Sequence, residues 1–250
     1  MMSKIKSWFK SVGQYLKDNE LIILYILFGG ALVTANCIAN KMIYVGNWFG
    51  EDIHITMGII CYPFTFLLTD IIGEKFGKRA AFTAVVGGFV GQIVSMALIF
   101  IGMAIPGKIF LSSGVDLTAE SYSNVFGNGG LLILGSLLGC LVSQTWDVWV
   151  FHKIRAAYIK KHGTTRGGKW IWNNVGTVTS QLIDSAIFYG IAFGFTQGMT
   201  LVKYLITILV YWIIKTAIAL CDTPFFYLFT RGTDKKVEEE IKAQFNNLDA

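Results

Sequence analysis

Residues 131–151 read LLILGSLLGCLVSQTWDVWVF, an apolar run of bilayer-crossing length that carries Ser143, Gln144 and Asp147 in its second half. A carboxylate in the middle of a lipid-spanning helix costs about 2.5–3.5 kcal/mol. The same insertion recurs as Ser180-Gln181-x-x-Asp184, and in both copies a phenylalanine follows the aspartate by four residues, Phe151 and Phe188. Two such helices in one chain point to a polar solute bound or moved inside a membrane.

Composition agrees with a membrane setting. The 250 residues are 54% hydrophobic and only 15% charged, with three prolines and a mean hydropathy of +0.55, unlike a soluble domain of this length. Long unbroken apolar runs exclude a β-barrel, whose strands would alternate in polarity over about ten residues. Helical spans are expected at 21–40, 55–73, 80–105, 129–151, 174–197 and 204–229. The expected fold is therefore an all-α integral membrane protein, a six-helix transmembrane bundle over 21–230. A basic amphipathic segment, 1–20, precedes it, and a charged cytoplasmic tail, 231–250, follows. Ile5, Trp8, Phe9, Val12 and Leu16 recur at helical spacing among lysines, either as a helix on the lipid surface or as a basic leader that sets topology. No cleavable signal is expected before residue 40.

Basic residues orient the spans. Seventeen fall in the N-terminal segment, the second-to-third loop, the fourth-to-fifth loop and the tail, against three (Lys41, Lys108, Lys203) in the opposite loops. That asymmetry predicts cytoplasmic termini. The net charge of +5 is then a topology signal, with no nucleic-acid partner implied. Cys37, Cys61, Cys140 and Cys221 all lie in apolar runs with no metal or redox spacing. Gly163-Thr-Thr-Arg-Gly-Gly168-Lys169 has the spacing of a phosphate loop, but Trp170 stands where Ser or Thr is required and no strand precedes it. His54, His152 and His162 lie near span ends or in loops, outside any hydrolase motif. No catalytic residue, metal or cofactor is expected.

The intramembrane charges are Asp70, Asp147, Asp184, Asp222 and Lys215. At 100° per residue Gln144, Asp147 and Phe151 share one face, as do Thr177, Gln181, Asp184 and Phe188. Lys215 and Asp222 share another, with Tyr211 one turn before the lysine, and Asn36 and Asn40 form a fourth polar stripe. Asp184, about ten residues into its span, sits roughly 15 Å deep. Mutual pairing, for example Lys215 with Asp184, would make these groups interhelical glue worth about 0.6 kcal/mol each. Four carboxylates against one lysine exceed that reading: some carboxylate must be protonated, face water or meet a ligand. For Asp70 and Glu74 a local pair with Lys75 or Arg79 is expected. Ala31, Ala35 and Ala39, and Gly87, Gly88 and Gly91, permit close helix packing; the alanine face could instead seat a second copy or a partner subunit.

The run Tyr62-PFTFLLTD-Ile71-IGEKFGKR-Ala80, with SQTWDVWVFHKIR from Ser143, WNNVGTVTSQLID from Trp172 and the Lys215 to Pro224 segment, with Thr223-Pro224 ending in Tyr227, resembles the queuosine precursor transporter family. That family is also described as a vitamin uptake transporter family. The resemblance covers about residues 21–230. It implies uptake of 7-deazaguanine bases across a bacterial inner membrane without a dedicated ATPase, and a six-helix design similar to the substrate-binding subunits of energy-coupling-factor vitamin transporters. An alternative is a capture subunit for a vitamin-like solute that requires a separate ATP-driven module.

The chemistry suits a purine-like solute. A 7-deazaguanine edge presents an N–H beside an exocyclic amine, which one carboxylate accepts in two parallel bonds while Gln or Asn donates to the carbonyl. Aromatic faces add about 1–3 kcal/mol of stacking per base. The expected binding set is Asp184, Gln181, Asp147, Gln144, Phe188, Phe66, Tyr62, Lys215, Tyr211, Asn36 and Asp70. Trp146 and Trp149 are either stacking residues or lipid-facing anchors.

Overall fold

A computed structural model describes residues 2–39, 41–105, 109–110, 116–117, 126, 130–194 and 200–248. Asn40, Lys108 and most of the 106–129 loop lie outside the described residues, as do 195–199 at the expected end of the fifth span.

The element order is α1 (Met2–Asp18), α2 (Glu20–Ile38), β1 (Met42–Trp48), β2 (Glu51–Thr56), a 3-10 turn (Met57–Ile60) and α3 (Tyr62–Ala104). A two-residue ladder of β3 (Ile109–Phe110) and β4 (Asp116–Leu117) follows. Then come α4 (Gly130–His162), α5 (Lys169–Tyr189) with a π-helical continuation (Gly190–Gly194), α6 (Leu201–Leu220), α7 (Thr223–Phe229) and α8 (Asp234–Leu248). Among the described residues four stretches are long and apolar enough to cross a membrane: Glu20–Ile38, Met57–Ala104, Ile133–His162 and Leu201–Phe229. In α5 the apolar run is interrupted by Asn173, Asn174, Thr177, Ser180, Gln181 and Asp184, every one of them buried.

Burial is reversed relative to a water-soluble protein. Asp147, Asp184, Ser143, Ser180 and Ser185 are 0% exposed, whereas Ile26, Leu98, Leu201, Val202 and Leu205 are more than half exposed. A protein that hides carboxylates and turns leucine outward is stable only where its solvent is hydrocarbon. The chain is an all-α membrane protein. Trp146 and Trp149 join the outward face, with ring centroids 5.3 Å apart, so they are not stacking residues of an interior site.

Three local features depart from the expected spans. The second span begins later than 55. Residues 42–56 alternate apolar and polar (Ile43, Val45, then Ile53, Ile55) around Phe49-Gly50, and they fold as an antiparallel hairpin pairing Ile43 with Ile55. Its buried face, Ile53 and Ile55, packs on Phe188, Tyr189, Ile208 and Tyr211. The expected loop between the second and third spans shrinks to a single break at Gly77, with φ 85° and ψ 174°. A Cβ placed on Gly73 would lie 3.7 Å from Ala81 Cβ, although eight residues of continuous helix would separate them by about 12 Å. α3 thus folds back into two arms, 62–76 and 78–104, and both pack on Phe28 and Leu32 of α2. The sixth span is broken at Cys221-Asp222, where Pro224 cannot donate a backbone hydrogen bond.

Gly88, Ala35 and Ala39 pack within the chain, whereas Gly87 and Gly91 face open space, with nothing among the described residues within 4 Å of a Cβ. Gly88 lies against Phe28 and Leu32, and Gly58 of the 3-10 turn meets the Ala35 carbonyl and Ala39 Cβ. α8 docks on α4 through Ile159, Val237 and Ile241. The end of the bundle carrying the α4–α5 turn and α8 is basic; the hairpin caps the other end.

Candidate functional site

The repeated insertion folds into a reciprocal clasp. α4 and α5 run antiparallel, so Ser143 Oγ stands 3.5 Å from Asp184 Oδ1 and Ser180 Oγ 3.4 Å from Asp147 Oδ1, each hydroxyl shared with a nearer carbonyl of its own helix, Cys140 O at 3.3 Å and Thr177 O at 3.0 Å. Four residues before each serine stands a glycine. A Cβ on Gly139 would lie 3.0 Å from Asp184 Oδ1, and one on Gly176 would lie 2.7 Å from Asp147 Oδ1. The working motif is therefore Gly-x-x-x-Ser-Gln-x-x-Asp on both helices, each copy making room for and holding the other's carboxylate. Ser180 and Asp184 are four residues apart, so the two carboxylate layers lie about 6 Å apart along the seam.

The layers have different surroundings. Asp184 Oδ2 takes the Lys215 ammonium in an ion pair that is fully buried. Lys215 Nζ stands 3.7 Å from the Tyr62 ring centroid and 4.5 Å from that of Tyr211, geometry that favours a desolvated cation. Phe188 stacks at 6.4 Å on Tyr211, whose hydroxyl meets Thr56 Oγ1 of the hairpin at 3.0 Å. Gln181, next to Ser180 and so between the two layers, is buried, and its Oε1 meets no donor among the described residues. The Asp184 layer combines a charge pair and three aromatic rings.

In the second layer Asp147 faces Asp70 at hydrogen-bonding contact. Asp222, freed from the Lys215 face by the Pro224 break, lies among them and takes a hydrogen bond from Asn173. Gln144 is held by α3: Thr69 Oγ1 donates to its Oε1 at 3.1 Å, and its Nε2 donates to Thr65 Oγ1 at 3.4 Å. Phe66 is fully buried on the same arm. Asn36 is buried on α2, and its Nδ2 meets no acceptor among the described residues.

One turn below Asp70 the local pairing expected for Asp70 and Glu74 does not form. Glu74 accepts from Arg155 Nη1 at 2.9 Å and lies 3.5 Å from Lys169 Nζ. Lys75 pairs with Glu20 instead, and Arg79 is exposed. The reason is geometric: Asp70 and Glu74 point into the bundle, whereas Lys75 lies on another face and Arg79 follows the break. Lys169 also reaches Asp234 of α8 at 3.0 Å, so an ion chain joins the tail to the seam. A cavity of about 600 Å³ opens outside this chain, lined by Lys169, Arg166, Tyr227, Arg231 and Asp234 among others. The glycine loop at 163–168 is filled by the chain's own carboxylate, since Glu238 Oε1 accepts from Thr165 N at 2.6 Å and from the hydroxyls of Thr164 and Thr165 at 3.0 Å each. Those bonds, the backbone N–H first, hold the Glu238 carboxyl below its usual range.

The structure thus gathers Asp184, Lys215, Tyr62, Tyr211 and Phe188 into one layer and Asp147 and Asp70 into its neighbour, with Gln144 and Gln181 at heights between the two. Missed from the sequence were Gly139, Gly176, Thr65, Thr69, Asn173 and the Glu74–Arg155–Lys169 chain. The glycines were legible as an extension of the repeat.

A helical membrane protein with a closed, charged and aromatic interior seam is built like a carrier of polar solutes. The family described as "Putative vitamin uptake transporter" matches residues 56–229, and the chain belongs to that family. A protein of Bacillus subtilis (strain 168) named "Probable queuosine precursor transporter" is 29% identical over 205 residues, covering 82% of each chain. No solved structure matches.

Proposed function

We propose that this chain imports a 7-deazaguanine precursor of queuosine across a bacterial inner membrane, binding the base in the Asp184–Lys215 layer. The observation that carries the reading is the fully buried Asp184–Lys215 pair boxed by Tyr62, Tyr211 and Phe188. A buried ion pair contributes little net stability, because desolvation offsets its attraction. A seam that merely held helices together would do as well with apolar side chains. Asp184 has the two oxygens needed for the N–H and amine of the base, Gln181 lies one turn away, and the rings supply stacking. The relative's name supports the solute class.

Entry fits the same geometry. The two arms of α3, with α2, α4, α5 and the α6–α7 pair, give six crossings, and the basic asymmetry sets both termini in the cytoplasm. The hairpin closes the outer end above Tyr211, and the Glu74–Arg155–Lys169 chain closes the inner end below Asp70. Opening one end while the other stays shut is alternating access about a fixed central site.

The test is uptake of labelled queuine by purified protein in lipid vesicles holding no other protein. Uptake that saturates with queuine and is competed by unlabelled queuine, but not by adenine, is the expected result. Tight binding without uptake would sink the transport reading.

A further inference from the structure

The two copies of the motif are alike except for what meets each carboxylate. Asp184 meets a lysine, and Asp147 meets a second acid, Asp70. Both acids are at least 97% buried, and Oδ2 of each finds no donor among the described residues. Asn173 supplies an independent sign. Only 2% exposed, it bonds Asp222 in the same cluster yet leaves its own acceptor Oδ1 without a donor among the described residues. Every orphaned atom here is an acceptor, so what is missing is a hydrogen-bond donor or a cation. Among the described residues no three acidic, histidine or cysteine side chains converge to hold a metal ion. Two carboxyls in contact inside a low-dielectric bundle cannot both be ionised.

We propose that the Asp70–Asp147 pair holds one proton and that this proton is the ion coupled to movement of the solute. The proposal rests on the transport reading above. Facing the pair are Asp222 at the α6–α7 break, Glu74 one turn down α3, and Ser180 on α5. Glu74 is already answered by Arg155 and Lys169. Lys215 serves Asp184 in the layer about 6 Å away, so the proton does for Asp147 what Lys215 does for Asp184. Because the layers are joined by the serine clasp, Asp184 cannot take up a solute and shift without moving Ser143 and, through α4, Asp147.

Two measurements decide it. Infrared difference spectra of purified wild type at neutral pH should show the carbonyl stretch of a protonated, buried carboxylic acid. Asp70→Asn and Asp147→Asn should each lose it, because the remaining carboxylate then accepts from an amide and ionises. The wild-type band requires no variant to fold, and gel filtration checks the variants. No band in wild type, or a band undiminished in both variants, overturns the proposal. In vesicles, an imposed pH gradient should accumulate labelled queuine about tenfold per pH unit for one proton per solute, and a protonophore should abolish it. Accumulation driven by sodium instead overturns the coupling. Wild type that moves no queuine fails the transport reading and the coupling with it, while the infrared band still decides whether the pair holds a proton.

Discussion

Asp184 is the residue on which the proposed recognition turns, and its ion pair makes the simple substitution ambiguous. Asp184→Asn swaps one acceptor oxygen for a donor, so two parallel bonds to the base cannot both form. The expected loss in queuine affinity is about 2–4 kcal/mol. The same change strands the Lys215 ammonium, and an uncompensated buried charge costs about 3–5 kcal/mol of stability. Asp184→Asn with Lys215→Met removes the stranded charge along with its partner. We expect the double variant to melt within a few degrees of wild type yet bind queuine at least 30-fold more weakly by calorimetry. Unchanged affinity would make Asp184 structural glue. From the sequence, same-face spacing already grouped Asp184 with Gln181 and Phe188. The Lys215–Asp184 pair was among those the spacing allowed, but what selects Asp184 over Asp222 on the lysine's own face is the Pro224 break and the helix that lies alongside.

At the scale of elements, Gly77 decides whether α3 is one helix or two crossings. Its φ of 85° with ψ near 180° is open to glycine almost alone. Among the described residues nothing crowds a Cβ there, so the cost of Gly77→Ala is conformational, about 1–3 kcal/mol. Gly87→Ala, in an ordinary helical position with equal open space, should be neutral or mildly stabilising. Thermal unfolding in detergent should therefore fall for Gly77→Ala and not for Gly87→Ala; equal shifts would mean the break tolerates a side chain. The 42–56 hairpin carried a period-two signal that a search for apolar runs overrode. The helix period of the repeats and of α1 was plain.

For the whole molecule the test is sidedness. A reporter after Ala250 or within the Gly163 turn should read cytoplasm, and one at the Phe49-Gly50 hairpin tip or near Val115 should read outside. The basis is seventeen basic residues against three. Accessibility labelling that put Gly50 and Gly163 on one face of the membrane would break the six-crossing proposal. The inverted burial, with acids inside and leucines outside, also explains why composition alone announced the class. A hydrocarbon solvent leaves its mark on every exposed position, and exposed positions outnumber those of the seam.

What the sequence determined by itself was the solvent, the helical period, the sidedness signal and the residues that share a face, because each depends on local spacing or on summed composition. It also marked Asp147 and Asp184 as a repeated pair whose charges outnumber the intramembrane lysine. Only the tertiary structure decided partners: Ser143 with Asp184, Ser180 with Asp147, Asp70 with Asp147, and Glu74 with Arg155 rather than its sequence neighbours. Partner choice depends on helix order, the antiparallel offset of α4 and α5, and two local breaks, at Gly77 and before Pro224. A shift of one helical turn, about 5.4 Å, would re-pair every one of these groups while leaving each helix's own pattern unchanged.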